Sequence, residues 1–155
     1  MKKSNKGFSL VELIIVIAIM AILAAAIAPA LIRYIDKSRK ADDIQFFGQI
    51  QSAASAALAN EEAYASVSDK MDGKNPVWTG TTDDKGNVTN PTPTSGEAFV
   101  EEVNSTLGSD NKLKYVKGCK NSPDIKVYIS ADEKVHVSVA GSEVVPSLDP
   151  GNPWK

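Results

Sequence analysis

A single cysteine, Cys119, among 155 residues excludes an intrachain disulfide. The one histidine, His136, falls on the polar face of a predicted strand, and no cysteine–histidine cluster has metal-ligand spacing. No glycine-rich loop of the phosphate-cradling kind occurs, and no catalytic constellation can be assembled, so no enzyme, metal or cofactor is expected. Strong charge of one sign is missing too: 17 Lys and Arg stand against 19 Asp and Glu, a net charge of −2. Tight non-specific nucleic-acid binding needs clustered Lys and Arg, so no specific nucleic acid is predicted as a partner. Proline is absent between Pro29 and Pro76, which leaves room for a long helix.

What the chain does have is a hydrophobic run. Lys6-Gly7-Phe8-Ser9-Leu10-Val11-Glu12 opens it, and Leu13 to Ile32 carries no charge. At about 1.5 Å per helical residue that stretch spans roughly 30 Å, one hydrocarbon core. Glu12 is out of place there. A carboxylate near the centre of such a helix costs on the order of 2.5–3.5 kcal/mol, and somewhat less near the interface.

Three readings compete. A secretory signal fits the basic start, with Lys2, Lys3 and Lys6, and the small residues Ala24-Ala25-Ala26, but its apolar region is usually only about 7–15 residues. A plain membrane anchor fits the length and leaves Glu12 unexplained. Cleavage at Gly7–Phe8 would instead keep the helix in the mature chain and create a new amino terminus at Phe8. The flanking charges do not orient the span, because Arg33, Lys37, Arg39 and Lys40 balance the leader lysines.

Gly7-Phe8-Ser9-Leu10-Val11-Glu12-Leu13, after a short basic leader and before an apolar helix containing Pro29, resembles the type IV prepilin signature. That family comprises type IV pilins and the pseudopilins of type II secretion and competence. The resemblance covers roughly residues 6–32. It implies a leader over 1–7 and a prepilin peptidase that cuts between Gly7 and Phe8 and methylates the Phe8 amine. Glu12 would then pair with the Phe8 amine of a neighbouring subunit, or with that of its own chain. Two charges in an apolar medium offset their desolvation only by meeting. Pro29 is expected to kink the helix or to mark a stretch, around 24–29, that melts in the filament. Further implied partners are other copies of the chain and related pilins, an inner-membrane assembly platform protein and the cytoplasmic membrane, with residues after about 33 outside it. Many pilins of double-membraned bacteria close a C-terminal loop with a disulfide; the lone Cys119 departs from that pattern and points to a Gram-positive-type pilin. Removing the leader takes away three lysines, leaving 14 bases against 19 acids, a side-chain charge of −5.

Beyond the membrane segment, 8–32, the pattern predicts an α+β fold. One helix is expected from about Ser9 to Ser66, amphipathic over 33–66, with Ile44, Phe47, Ala54 and Leu58 near one stripe and Phe46, Ile50, Ala53 and Ala57 widening it. Residues 67–111 are expected as a variable, turn-rich region, with Val77-Trp78 as an apolar anchor and Asp84-Lys85-Gly86-Asn87 as a hairpin tip. Asp83, Asp84 and Asn87 lack the spacing of a calcium loop. A short helix at about 96–107 follows the capping pattern Thr94-Ser95-Gly96-Glu97. Residues 112–145 alternate as antiparallel sheet, with Leu113 and Tyr115, Ile125 to Ile129, and Val135 to Val139. The tail, 146–155, is expected to be extended or looped, and either docked through Trp154 or a flexible end. Asn87-Val88-Thr89 and Asn104-Ser105-Thr106 match glycosylation sequons.

The function expected is that of a structural subunit of a type IV pilus serving adhesion or motility. A pseudopilin of secretion or DNA uptake is the alternative within the class, and a membrane-anchored extracellular binding domain the alternative outside it.

Overall fold

The computed structural model describes residues 7–94, 97–147 and 152–154. Most of the expected leader and part of the tail therefore lie outside the described residues. The chain divides into two units, Met1–Lys37 and Ser38–Lys155, and helix α1, Leu10–Ala57, contributes to both.

In the first unit α1 is apolar all round and exposed all round, from Leu13 to Ile32. Pro29 lies inside the helix without interrupting it. Proline has no N–H, so the carbonyl of Ala25 lacks its usual intrahelical donor.

In the second unit α1 turns amphipathic. Its buried residues are Asp43, Phe47, Ile50, Ala53, Ala54 and Ala57, and steps of three and four place them on one face. The expected single helix to Ser66 is corrected here. The α1 helix ends at Ala57, and α2, Glu61–Val67, starts afresh after Asn60. Asn60 has φ −86° and ψ 123°, and its side-chain oxygen accepts the N–H groups of Glu62 and Ala63 at 3.0 and 3.3 Å. A short polar side chain thus offers the backbone an alternative to continuing the helix.

The sheet has six strands in the order β3-β2-β1-β4-β5-β6, every pair antiparallel. Strand β1 is Trp78–Thr82, β2 Asn87–Thr89, β3 Asn111–Lys112, β4 Ile125–Ile129, β5 Val135–Val139 and β6 Ser142–Val145. The β4–β5 hairpin has the expected alternation: Ile125, Val127, Ile129, Val135, Val137 and Val139 are buried in one core with Phe47, Ile50 and Ala54. Burying each such side chain contributes about 1.5–3 kcal/mol.

Two further expectations are corrected. The turn-rich region contains sheet: Trp78 to Gly80 pair with β4, while Thr81 and Thr82 pair with β2. Buried anchors explain this ordering, since the Trp78 indole N–H donates to Asn104 Oδ1 at 2.9 Å and the Thr82 hydroxyl to the Pro123 carbonyl at 2.6 Å. The expected hairpin tip is present, held by Asp83, whose carboxylate accepts the N–H groups of Lys85 and Asn87 and the Asn87 side-chain amide. Gly86, at φ +86°, closes that turn where a side chain would run into the Leu113 carbonyl. Conversely, Leu113 and Tyr115 are not strand residues. The N–H groups of Lys114 and Tyr115 go to the Asp43 carboxylate at 2.6 and 2.9 Å, not to a sheet neighbour.

Helix α3, Ala98–Leu107, buries Phe99, Val100 and Val103. Ser95 and Gly96 of its expected capping pattern lie outside the described residues. Glu97 is itself the residue preceding the helix and makes no side-chain cap bond, so the expected capping box does not open it; its carboxylate accepts the Thr94 N–H at 2.9 Å, a bond that holds its carboxyl below the ordinary range.

Candidate functional site

Residues 7–12 form the amino-terminal site. Gly7, Phe8 and Ser9 precede the helix, and Phe8 is 91% exposed. A Cβ added to Gly7 would meet nothing within 4 Å, so the fold itself makes no demand for glycine there. Helix α1 begins at Leu10, and the Leu13 N–H donates to the Ser9 carbonyl at 3.2 Å. Glu12 lies in the first turn, and its Oε2 accepts the Ser9 N–H at 2.8 Å. Ser9-Leu10-Val11-Glu12 is therefore a capping box in its reach-back half: a residue at the third helical position satisfies the N–H of the cap residue. The sequence holds this S-x-x-E signal, and the reading of Glu12 by charge alone passes over it.

Immediately after this cap comes the charge-free stretch from Leu13 to Ile32. The helix that carries it is long and apolar enough to cross a membrane. Its side chains bury nothing of their own unit, as shown by Ile22 at 70% exposure. An apolar surface of this extent is the mark of a lipid or protein partner.

Elsewhere the polar groups serve the fold. Asp43, which the sequence analysis does not single out, is buried and accepts three N–H groups, those of Lys114, Tyr115 and the Trp154 indole. A signal for it exists, because Asp43 stands on the stripe that continues through Phe47, Ile50, Ala54 and Ala57. Trp154 docks, edge-on to Phe47 with ring centroids 5.4 Å apart. Cys119 is buried and unpaired, and burial, with the charge of Asp43 second, pushes its thiol up to about 11.

His136 is half-buried and not merely solvated: its Nδ1 lies 2.6 Å from Glu143 Oε1. Asn104, a sequon position, is committed on both sides of its amide, to Trp78 and to the Pro91 carbonyl. Among the described residues no group of three or more His, Cys, Asp or Glu side chains is placed to hold a metal ion.

The prokaryotic N-terminal methylation motif matches residues 2–28. No curated protein and no solved structure matches the chain. The matched residues include the exposed Gly7–Phe8 junction, the Glu12 cap and most of the charge-free helix. This chain carries the type IV prepilin signature, on an α+β fold of one long amino-terminal helix and a six-stranded antiparallel sheet.

Proposed function

We propose that the chain is a structural subunit of a type IV pilus, cut between Gly7 and Phe8, N-methylated at Phe8 and polymerised through α1. One observation carries the reading: a matched methylation motif leads directly into an apolar helix with no internal cover. Gly7 adds support, since open space surrounds it and the demand for glycine then comes from an external peptidase. The mature amine, with an ordinary pKa near 8, is a cation at neutral pH, and Glu12 of a neighbouring subunit is its partner in the polymer.

Within that scheme α1 first spans the cytoplasmic membrane, held there by the assembly platform, and then exchanges lipid for copies of itself. Pro29 is the point at which the helix kinks or melts as it packs. Adhesion or motility follows from the polymer and not from chemistry in the subunit. The second unit, mildly acidic, is what the environment meets.

Mass spectrometry of the mature protein tests the reading. The expected species begins with N-methyl-Phe8; an intact Met1 start, or cleavage near Ala26, sinks it. Electron microscopy of cells with and without the chain separates pilus from pseudopilin, because a major pilin takes the surface filaments with it. Glu12→Ala is expected still to be cut but to yield few filaments, and a normal yield would count against the charge pairing.

A further inference from the structure

We propose that Arg33, Tyr34 and Lys37 form a seat for the phosphate of an anionic phospholipid, where the apolar stretch of α1 leaves the bilayer. The inference rests on the reading in which α1 spans a membrane before it polymerises, and it names the lipid that this span selects.

The charge-free stretch ends at Ile32, and Arg33 is the first charged residue after it. Leu13 to Ile32 fills roughly 30 Å of hydrocarbon, so the turn that follows stands among the headgroups. Helix α1 runs through this point without a break, which fixes the relative places of the side chains. Lys37 is four residues after Arg33 and three after Tyr34, spacings that put the three residues on one face. All three are exposed, Tyr34 at 73%, and all belong to the Met1–Lys37 unit.

Among the described residues no carboxylate pairs with Arg33 or Lys37. Two cations one turn apart repel each other. A phosphate between them turns that repulsion into charge-assisted hydrogen bonds. The planar Arg33 guanidinium suits two phosphate oxygens at once, while the Lys37 ammonium acts as a point charge on a flexible stem. Tyr34 adds an apolar ring with a hydroxyl, the kind of side chain that concentrates at membrane–water boundaries. A zwitterionic headgroup carries its own cation beside the phosphate, which two further cations oppose. The pair therefore selects headgroups of net negative charge. Arg39 is exposed as well, but six residues past Arg33 it stands on another face of α1.

The full chain in a mild detergent, offered equal amounts of phosphatidylglycerol and phosphatidylcholine and read by native mass spectrometry, tests this. Phosphatidylglycerol adducts are expected to outnumber phosphatidylcholine adducts roughly tenfold, the combined pull of two basic residues at a lipid surface. Arg33→Gln and Lys37→Gln should each lower that ratio about threefold, and the double variant should bring it near one. Arg39→Gln removes the same charge from another face and should leave the ratio unchanged. A wild-type ratio near one overturns the proposal. So does a fall in Arg39→Gln as large as in Arg33→Gln, which would make the preference one of net charge. Filament loss in the double variant with its lipid preference intact overturns it too, and gives the pair to a carboxylate of a neighbouring subunit. A wild-type chain that floats with vesicles of neither lipid would instead overturn the membrane reading itself.

Discussion

The Trp154 indole donates its N–H to Asp43 Oδ2 at 2.7 Å, joining two residues 111 positions apart. Around that bond the chain's end, the Lys114–Tyr115 segment and the amphipathic part of α1 meet on one carboxylate. With Cys119 the only cysteine, no disulfide can staple the carboxyl-terminal segment. The Asp43–Trp154 clasp does that work by hydrogen bonding and ring packing, with Tyr115 a second edge-on neighbour at 6.2 Å.

Replacing Asp43 by Ala strands three N–H donors at once. Each unsatisfied buried donor costs about 1–3 kcal/mol, so a loss of at least about 3 kcal/mol is expected. Asp43→Asn retains an acceptor oxygen and should lose less. Trp154→Phe keeps the ring against Phe47 but not the N–H, and about 1–2 kcal/mol is expected for it. Urea unfolding of the full chain in detergent, followed by circular dichroism, measures all three. An Asp43→Ala variant as stable as wild type would show that the clasp is incidental.

Asn60 separates α1 from α2, and its oxygen satisfies two donors of the α2 first turn. Asn60→Ala removes that cap and is expected to cost about 1 kcal/mol. Asn60→Asp should preserve it. Amide exchange at Glu62 and Ala63 reads the effect locally: faster exchange in the Ala variant only is the expected outcome.

How far these features can be read from the chain differs by element. The β4–β5 hairpin is fully legible because β-branched residues alternate with polar ones over both strands. Strands β1 and β2 are not, since Thr79-Gly80-Thr81-Thr82 has the composition of a turn and becomes strand only through the Trp78 and Thr82 anchors. Those partners, Asn104 and Pro123, lie far along the chain, and no local pattern points to them. The break at Asn60 was legible as Asn followed by two glutamates, but abundant alanine masked it. At the amino-terminal site, Gly7, Phe8 and Glu12 stand out in the sequence; the Ser9 contact is signalled only by the short S-x-x-E pattern, which the charge of Glu12 overshadows.

Pro29 offers a test at the level of the polymer. Pro29→Ala returns an N–H to the helix and supplies the Ala25 carbonyl with its donor. Amides over residues 24–30 should then exchange more slowly in assembled filaments than the same amides of wild type, Pro29 having none. Equal exchange on the two sides of this comparison would mean that the helix is closed there already and that Pro29 is merely tolerated.

Cys119 provides a titratable reporter of the core. Its thiol is buried, donates weakly to the Tyr115 carbonyl at 3.7 Å and is pushed up to about 11 by burial and by the nearby Asp43 charge. A group whose folded value lies above its unfolded one, about 8.5 for a cysteine thiol, stabilises the fold fully below the unfolded value. That contribution is lost as pH rises through about 11. Two consequences can be measured. Ellman's reagent at pH 8 should label Cys119 only after denaturation, because neither access nor thiolate exists in the fold. Asp43→Asn removes one nearby negative charge, so the native thiol should titrate at a lower pH in that variant; an unchanged titration would show that the Asp43 charge contributes nothing to the shift.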